Sequence, residues 1–119
     1  MIDVSQIEGL TPVLPVSDLS QAVRLWSALL GTEPTFVDGD RWAQFDVAGR
    51  RLALSGADRV ADVASVMLKV ADLAAARARA AELGLEAGAV QEGPHEHRCV
   101  VTGPDGVPVV LYQAKPRPA

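Results

Sequence analysis

A chain of 119 residues, 49 % of them hydrophobic, is long enough for one domain with a substantial core and too short for two conventional domains. The formal net charge is −4, and the 11 basic residues are scattered, which argues against a nucleic-acid partner. A single cysteine, Cys99, cannot form an intramolecular disulfide and favours a reducing compartment. No apolar run approaches the roughly 20 residues of a membrane span, and Met1–Ser5 lacks the blocks of a signal peptide. We therefore expect a cytoplasmic protein with no membrane partner.

The first predicted elements are a strand and the helix that follows it. From Thr11 to Val16 every second residue is apolar, which predicts a strand. From Leu19 to Leu30 the apolar residues recur at spacings of three and four, which is typical of a helix with one buried face. Asp18 stands at the N-cap position and Gly31 at the position after the C-cap, so both ends of the helix are marked.

Short alternating segments punctuated by turn residues come after this helix. They predict strands at about 34–37, 42–47 and 51–55, with Asp38-Gly39-Asp40 and Ala48-Gly49-Arg50 as the turns between them. The first half of the chain is therefore predicted to fold as β-α-β-β-β, followed by a linker over 56–64.

The second half of the chain repeats this order. Val16-Ser17-Asp18-Leu19 recurs as Val70-Ala71-Asp72-Leu73, between a predicted strand at 65–70 and a predicted helix at 73–83 that stops at Gly84. Strands are predicted at about 87–91, 98–102 and 107–112, and Gly103-Pro104-Asp105-Gly106 predicts a hairpin turn between the last two. We therefore predict an α+β domain over 1–119 with two βαβββ modules, at about 8–56 and 63–114.

These motifs resemble the vicinal oxygen chelate superfamily, which includes glyoxalases, extradiol dioxygenases and bleomycin-resistance proteins. The resemblance rests on Val-x-Asp-Leu at the start of each helix, Leu30-Gly31 at the end of the first, and Pro104-Asp105-Gly106 before the last strand. Gly103 departs from the family pattern, which usually has Asp there. The resemblance implies a curved mixed sheet with helices on its outer face, a ligand in the concave inner face, and a homodimer.

The period of two in a strand assigns alternate side chains to opposite faces of the sheet. Side chains that alternate with the predicted core residues are expected to face the cavity. The predicted ligand-binding residues are Thr11, Val13, Trp42, Gln44, Asp46, Arg51, Ala53, Ser65, Met67, Arg98, Val110 and Tyr112.

The resemblance also implies four positions at which metal-dependent relatives hold a divalent ion. These positions correspond to Thr11, Ala53, Ser65 and Val110. A hydroxyl is a weak ligand for Zn²⁺ or Fe²⁺, and Ala and Val offer no donor atom. We therefore expect no metal and no other cofactor.

A second arrangement of metal-ligand residue types is His95-Glu96-His97-Arg98-Cys99. In an extended strand, His95 and Cys99 would be about 13 Å apart, which is too far to share one ion. Two interpretations remain: solvated histidines before a strand that contains a buried thiol, or a histidine at the mouth of the pocket that serves as a hydrogen-bond partner or weak base.

The remaining candidates indicate a binding function. Trp42 would present a flat ring to a planar ligand, although packing against a dimer interface or a loop is an alternative. Arg98 or Arg51 would anchor an anionic group unless it is a surface arginine.

The first hypothesis is a metal-independent small-molecule-binding protein of the glyoxalase/bleomycin-resistance type for an apolar or aromatic ligand. The alternative is a metal-free lyase, isomerase or similar enzyme that uses Asp46, Tyr112 or His97 for proton transfer. A third is a structural or regulatory dimer with a filled cavity.

Overall fold

The elements of the computed structural model alternate strands and helices in the order that the repeat predicts. The model describes residues 7–103 and 105–116; Met1–Ser5, inspected above for a signal peptide, and Pro104 of the predicted turn lie outside these ranges. The described residues cluster into two units, one spanning Thr11–Ser65 and the other comprising Ile7–Leu10 with the residues from Val66 onward. The elements are β1 (Ile7–Pro15), α1 (Leu19–Leu30), β2 (Phe36–Asp38), β3 (Trp42–Val47), β4 (Arg50–Ser55), β5 (Ser65–Val70), α2 (Leu73–Glu82), β6 (Glu86–Ala87), β7 (Gln91–Glu92), β8 (Glu96–Thr102) and β9 (Pro108–Ala114).

In the first unit the strands lie in the order β2-β3-β4-β1. β1 and β4 run parallel, whereas β2–β3 and β3–β4 are antiparallel, so the strand arrangement is mixed. The Asp18 carboxylate caps α1 by accepting a hydrogen bond from the backbone N–H of Gln21 at 3.0 Å. Gly31 ends the helix with φ at 70°, a left-handed conformation that costs glycine little.

One face of α1 packs on alternate residues of these strands. Leu19, Ala43, Phe45 and Leu54 are almost fully buried there. Leu14, Val16, Ala22, Val23, Trp26 and Leu30 pack against this cluster and are partly buried. Trp26 packs against this core from the apolar side of α1, although its side chain retains some exposure.

The second unit repeats the same construction. Its strands lie in the order β5-β9-β8-β6, with β7 also pairing to β8, and β5 and β9 run parallel. Asp72 caps α2 through the backbone N–H of Ala75 at 3.1 Å. The core beneath α2 consists of Val70, Leu73, Ala80, Cys99, Val101 and Leu111. The α+β class and the βαβββ order are thus confirmed. Neither helix of the described residues is long and apolar enough to cross a membrane.

The predicted strand at 87–91 is wrong in one respect, because the structure has two short strands there. Glu86–Ala87 pairs with β8 at Thr102 and Val101, and Gln91–Glu92 pairs with β8 at Arg98 and His97. Ala87 and Gln91 are four residues apart, whereas their partners Val101 and Arg98 are three apart. The extra residue forms a bulge that interrupts the ladder between the two pieces.

Gly56 joins the end of β4 to the turn between β2 and β3. Its backbone N–H donates to the Arg41 carbonyl at 2.9 Å, and the N–H of Ala57 donates to the Asp40 carbonyl at 3.0 Å. A Cβ atom on Gly56 would lie 2.2 Å from the Asp40 carbonyl oxygen. The two backbone segments therefore approach each other as closely as only glycine permits.

We predict that Gly56→Ala lowers the free energy of unfolding by about 1 to 3 kcal/mol, because backbone atoms must move to admit the methyl group. Urea titration measures the change. Gly103→Ala is the control, since a Cβ there would meet its nearest neighbour, the Val107 carbonyl oxygen, only at 4.0 Å. Equal stability of the two variants would contradict the prediction.

Candidate functional site

The strands of the first unit turn one set of side chains toward α1 and the other set away from it. Because Ala43 and Phe45 pack on α1, the alternating residues of β3, Trp42, Gln44 and Asp46, lie on the opposite side. The register places each beside a partner on β4: Trp42 pairs with Ser55, Gln44 with Ala53 and Asp46 with Arg51. We call this surface the helix-distal face of the first unit; the predicted residues on it are Thr11, Val13, Trp42, Gln44, Asp46, Arg51 and Ala53.

Trp42 is the largest side chain on this face. It is half-buried, and its indole Nε1–H donates a hydrogen bond to Oε1 of Gln44 at 3.2 Å. The polar edge of the ring therefore has its partner on the same face. The apolar surface of the indole remains for contact with a planar group.

Asp46 is held in an ion pair at the other end of the face. Arg51 Nε lies 2.8 Å from one carboxylate oxygen of Asp46, and the Thr35 hydroxyl donates to the other at 2.9 Å. The hydrogen bonds from Arg51 and from Thr35 hold the pKa of the Asp46 carboxyl below its usual range. Asp46 therefore stays ionised at neutral pH and serves as a partner for Arg51. A group with so low a pKa is a weak general base.

Phe36 also belongs to the helix-distal face of the first unit, and it was missed in the sequence. Phe36 lies in the edge strand β2, and its register partner is Gln44 in β3. The exposed fraction of Phe36 is 48 %. A strand of three residues is too short to show an alternation, so its faces could not be assigned before its pairing was known. Phe36 adds a second aromatic ring to the face that carries Trp42.

The second unit has a corresponding surface, which we call the helix-distal face of the second unit. Cys99 and Leu111 pack beneath α2, so the residues that alternate with them lie on the other side. Two rows of register partners cross this face: an apolar row of Met67, Val110 and Val100, and a polar row of Lys69, Tyr112 and Arg98. The predicted residues Met67, Arg98, Val110 and Tyr112 thus share one face.

Lys69 was not among the predicted ligand-binding residues, although the alternation of β5 already assigned it to this side. It is half-buried, and Tyr112 is its register partner. Gly9 lies on the other side of Lys69. A Cβ atom built on Gly9 would be 3.6 Å from the Lys69 Cβ, which is an ordinary van der Waals distance. Lysine is usually a solvated surface residue, which is why sequence reasoning gave it little weight.

The two histidines and the cysteine do not come together. His95 is exposed in the segment before β8, and its carbonyl accepts a hydrogen bond from the Lys115 backbone N–H. His97 pairs with Gln113 and alternates with Arg98, so it lies on the α2 side of the strands, away from Tyr112. Cys99 is 1 % exposed, and burial raises the pKa of its thiol. A neutral, buried thiol is a poor metal ligand.

The four positions that the family resemblance implies as metal ligands do not fit a divalent ion. Ala53 and Val110 are 0 % and 4 % exposed and carry no donor atom. Thr11 and Ser65 are 8 % and 6 % exposed and offer only hydroxyl groups. Elsewhere in residues 7–103 and 105–116, no group of three or more His, Cys, Asp or Glu side chains is placed to hold a metal.

Comparison with known proteins identifies the family of this fold. The glyoxalase-like domain family matches residues 12–112, which is most of the chain. The chain belongs to the glyoxalase-like family. This assignment confirms the resemblance to the vicinal oxygen chelate superfamily. No curated protein matches the sequence of this glyoxalase-like protein.

Several solved structures share the glyoxalase-like fold at low sequence identity. A structure described as an NAD-dependent benzaldehyde dehydrogenase from Legionella pneumophila has a TM-score of 0.80 at 14 % identity, over 89 % of this chain and 99 % of that one. A glyoxalase/bleomycin resistance protein/dioxygenase superfamily member from Vibrio splendidus has a TM-score of 0.69 at 17 % identity, over 90 % and 98 %. Methylmalonyl-CoA epimerase from Mycobacterium tuberculosis has a TM-score of 0.67 at 18 % identity, over 98 % and 94 %. At these identities the likeness establishes the fold alone.

We predict that the purified protein carries no stoichiometric Zn²⁺, Fe²⁺, Ni²⁺ or Mn²⁺, because Ala53 and Val110 cannot ligate an ion. Elemental analysis after gel filtration tests this expectation. One metal ion per chain that resists a mild chelator and is lost on mutation of His95 and His97 would overturn it.

Proposed function

We propose that this glyoxalase-like protein is a metal-independent binding protein for a small apolar or aromatic molecule. The observation that carries the proposal is the environment of Trp42: a half-buried ring on the helix-distal face of the first unit, with its N–H already bonded to Gln44. Phe36 lies on the same face and extends its exposed apolar surface, whereas Val13 is buried there at 5 % exposure. Binding sites for small molecules are typically of this kind, mainly apolar with a few fixed polar groups.

The side chains considered for proton transfer favour binding over catalysis. Asp46 is engaged by Arg51 and Thr35, and its lowered pKa opposes a role as base. His97 and Tyr112 lie on opposite sides of the strands of the second unit, so they do not form an acid–base pair. We therefore do not propose the metal-free enzyme as a second function.

The proposal includes a cytoplasmic location, which rests on the single cysteine. It also includes a homodimer. The first unit ends at the edge strand β2, and its helix exposes 64 % of Leu25 and 70 % of Leu29. A strand edge and a pair of exposed leucines on one helix face are features that association would cover.

We predict that the protein sediments as a dimer at concentrations on the order of tens of micromolar, the strength expected of a modest interface. Analytical ultracentrifugation over a tenfold concentration range measures this. A monomer throughout that range would contradict the proposed dimer and leave the binding proposal standing.

We predict opposite effects for the two tryptophans. Trp42→Ala should weaken the binding of a planar aromatic probe such as 2-naphthamide by about 1 to 3 kcal/mol, as for a central aromatic contact, and leave the free energy of unfolding nearly unchanged. Trp26→Ala should lower the free energy of unfolding by about 3 kcal/mol, because Trp26 packs against the core beneath α1. Calorimetric titration and urea denaturation supply the two readouts.

Two controls make this comparison decisive. In Trp26→Phe, Trp42 is the only tryptophan, so quenching of its fluorescence by the probe reports contact directly. Trp42→Phe keeps an aromatic ring and should retain most of the affinity. If Trp42→Ala destabilises the fold as much as Trp26→Ala does, Trp42 is a core residue and the proposed binding face is wrong.

A further inference from the structure

The helix-distal face of the second unit carries a lysine in an unusual setting. Lys69 is half-buried near the end of β5, next to a residue of the buried core, Val70. In the described part of the chain, no carboxylate forms a salt bridge with its Nζ atom, whereas the other lysine, Lys115, is paired with Glu92 at 2.6 Å. An ammonium group that loses part of its hydration without gaining an anion is unfavourable unless another group compensates it.

The acids that share this face are too far away to be that partner, and Glu8, the residue before Gly9 in β1, alternates onto the opposite side of the strand. Glu96 lies on the same face as Arg98 because side chains alternate along β8. Glu86 lies on this face because it pairs with Thr102. Strand spacing of about 4.8 Å and a rise of about 3.4 Å per residue put both backbones roughly 12 Å or more from Lys69. The Glu96 carboxylate, moreover, lies against Gly93 at the opposite edge of the unit.

The neighbours of Lys69 leave room for a ligand. Gly9 stands on one side and contributes no side chain, and Tyr112 stands on the other. Arg98, the next residue of the polar row, has interactions of its own within the protein. Lys69 is therefore the cation of this row that has no counter-ion among the described residues.

One row along the sheet from Lys69, the face is apolar. Met67, Val110 and Val100 are register partners across β5, β9 and β8. Val110 is 4 % exposed, whereas Met67 and Val100 are half-buried, and the backbone of this row lies about 7 Å along the strands from the row that carries Lys69. A molecule that contacts both rows must be apolar at one end and negatively charged at the other.

We infer that the helix-distal face of the second unit binds an amphiphilic monocarboxylate, with its carboxylate on the Lys69 ammonium and its apolar part against Met67 and Val100. This inference goes beyond the proposed function, which is carried by Trp42 on the helix-distal face of the first unit. One half-buried ammonium neutralises one carboxylate, whereas a phosphate dianion would leave charge beside the apolar row. A charge-assisted hydrogen bond in such a setting is about twice as strong as a neutral one.

The test compares acids with their neutral amides on the intact protein. The probes are matched pairs: hexanoate and hexanamide, benzoate and benzamide, and 2-naphthoate and 2-naphthamide, titrated by calorimetry at constant ionic strength. We expect the protein to bind the best acid about 10-fold or more tightly than its amide, the effect of one hydrogen bond to a charged group. An arylphosphonate that binds more tightly than its carboxylate would overturn the assignment to monocarboxylates.

Substitutions test whether the preference for the acid depends on the charge of Lys69. Lys69→Met should bring the affinities of acid and amide within about threefold of each other and leave amide binding unchanged. Lys69→Arg should retain the preference for the acid. Lys115→Met is the matched control, because it removes the same charge from the only other lysine of the chain and should leave the preference intact.

The outcomes separate this inference from the proposed function. If acid and amide bind equally, or if Lys69→Met and Lys115→Met behave alike, the carboxylate assignment is wrong while small-molecule binding stands. If none of the acids binds at millimolar concentration, the inference about Lys69 fails, whereas the proposed function is tested separately by the binding of 2-naphthamide and its loss in Trp42→Ala. If Lys69→Met does not fold, the wild type is titrated at low and at high salt. Loss of the preference for the acid at high salt, with the affinity for the amide unchanged, would support the role of charge, and an unchanged preference would contradict it.

Discussion

The packing of one helix on alternate strand residues is the constraint on which the rest of each unit depends. Phe45 and Leu54 in the first unit, and Cys99 and Leu111 in the second, are buried because a helix covers them. Side chains alternate in a strand, so burying one set turns the intervening residues to the opposite side. The chemistry of each helix-distal face is thus a consequence of which residues the core requires.

The two faces use different means to accommodate charge. In the first unit, Asp46 and Arg51 neutralise each other at 2.8 Å, which leaves the aromatic ring of Trp42 as the principal group for recognition. In the second unit, Lys69 has no carboxylate partner among the described residues. An internal ion pair such as Asp46–Arg51 contributes little to recognition because its charge is already compensated, whereas an uncompensated cation favours an anionic ligand.

Membership of the glyoxalase-like family fixes the scaffold and leaves the chemistry to the site residues. Structural relatives named as an epimerase and as a dioxygenase-superfamily member share this fold at 18 % and 17 % identity. Ala53 and Val110, at two positions that the family resemblance implies as metal ligands, are both buried. Neither side chain offers a donor atom for a divalent ion, which is a physical basis for proposing a metal-independent binder.

The sequence by itself determined the elements and their faces, because these follow from local periodicity and end signals. The repeated Val-x-Asp-Leu, the caps at Asp18 and Asp72 and the alternation in β3 predicted the βαβββ order and the side of the strand on which Trp42 lies. Only the tertiary structure decided which residues pair across strands. It placed Arg51 beside Asp46, Phe36 beside Gln44 and Gly9 beside Lys69, and it divided one predicted strand at a bulge. Those pairings join segments up to 60 residues apart in the chain. A pattern of period two assigns a face but does not distinguish registers that differ by two residues, so it does not by itself specify these pairings.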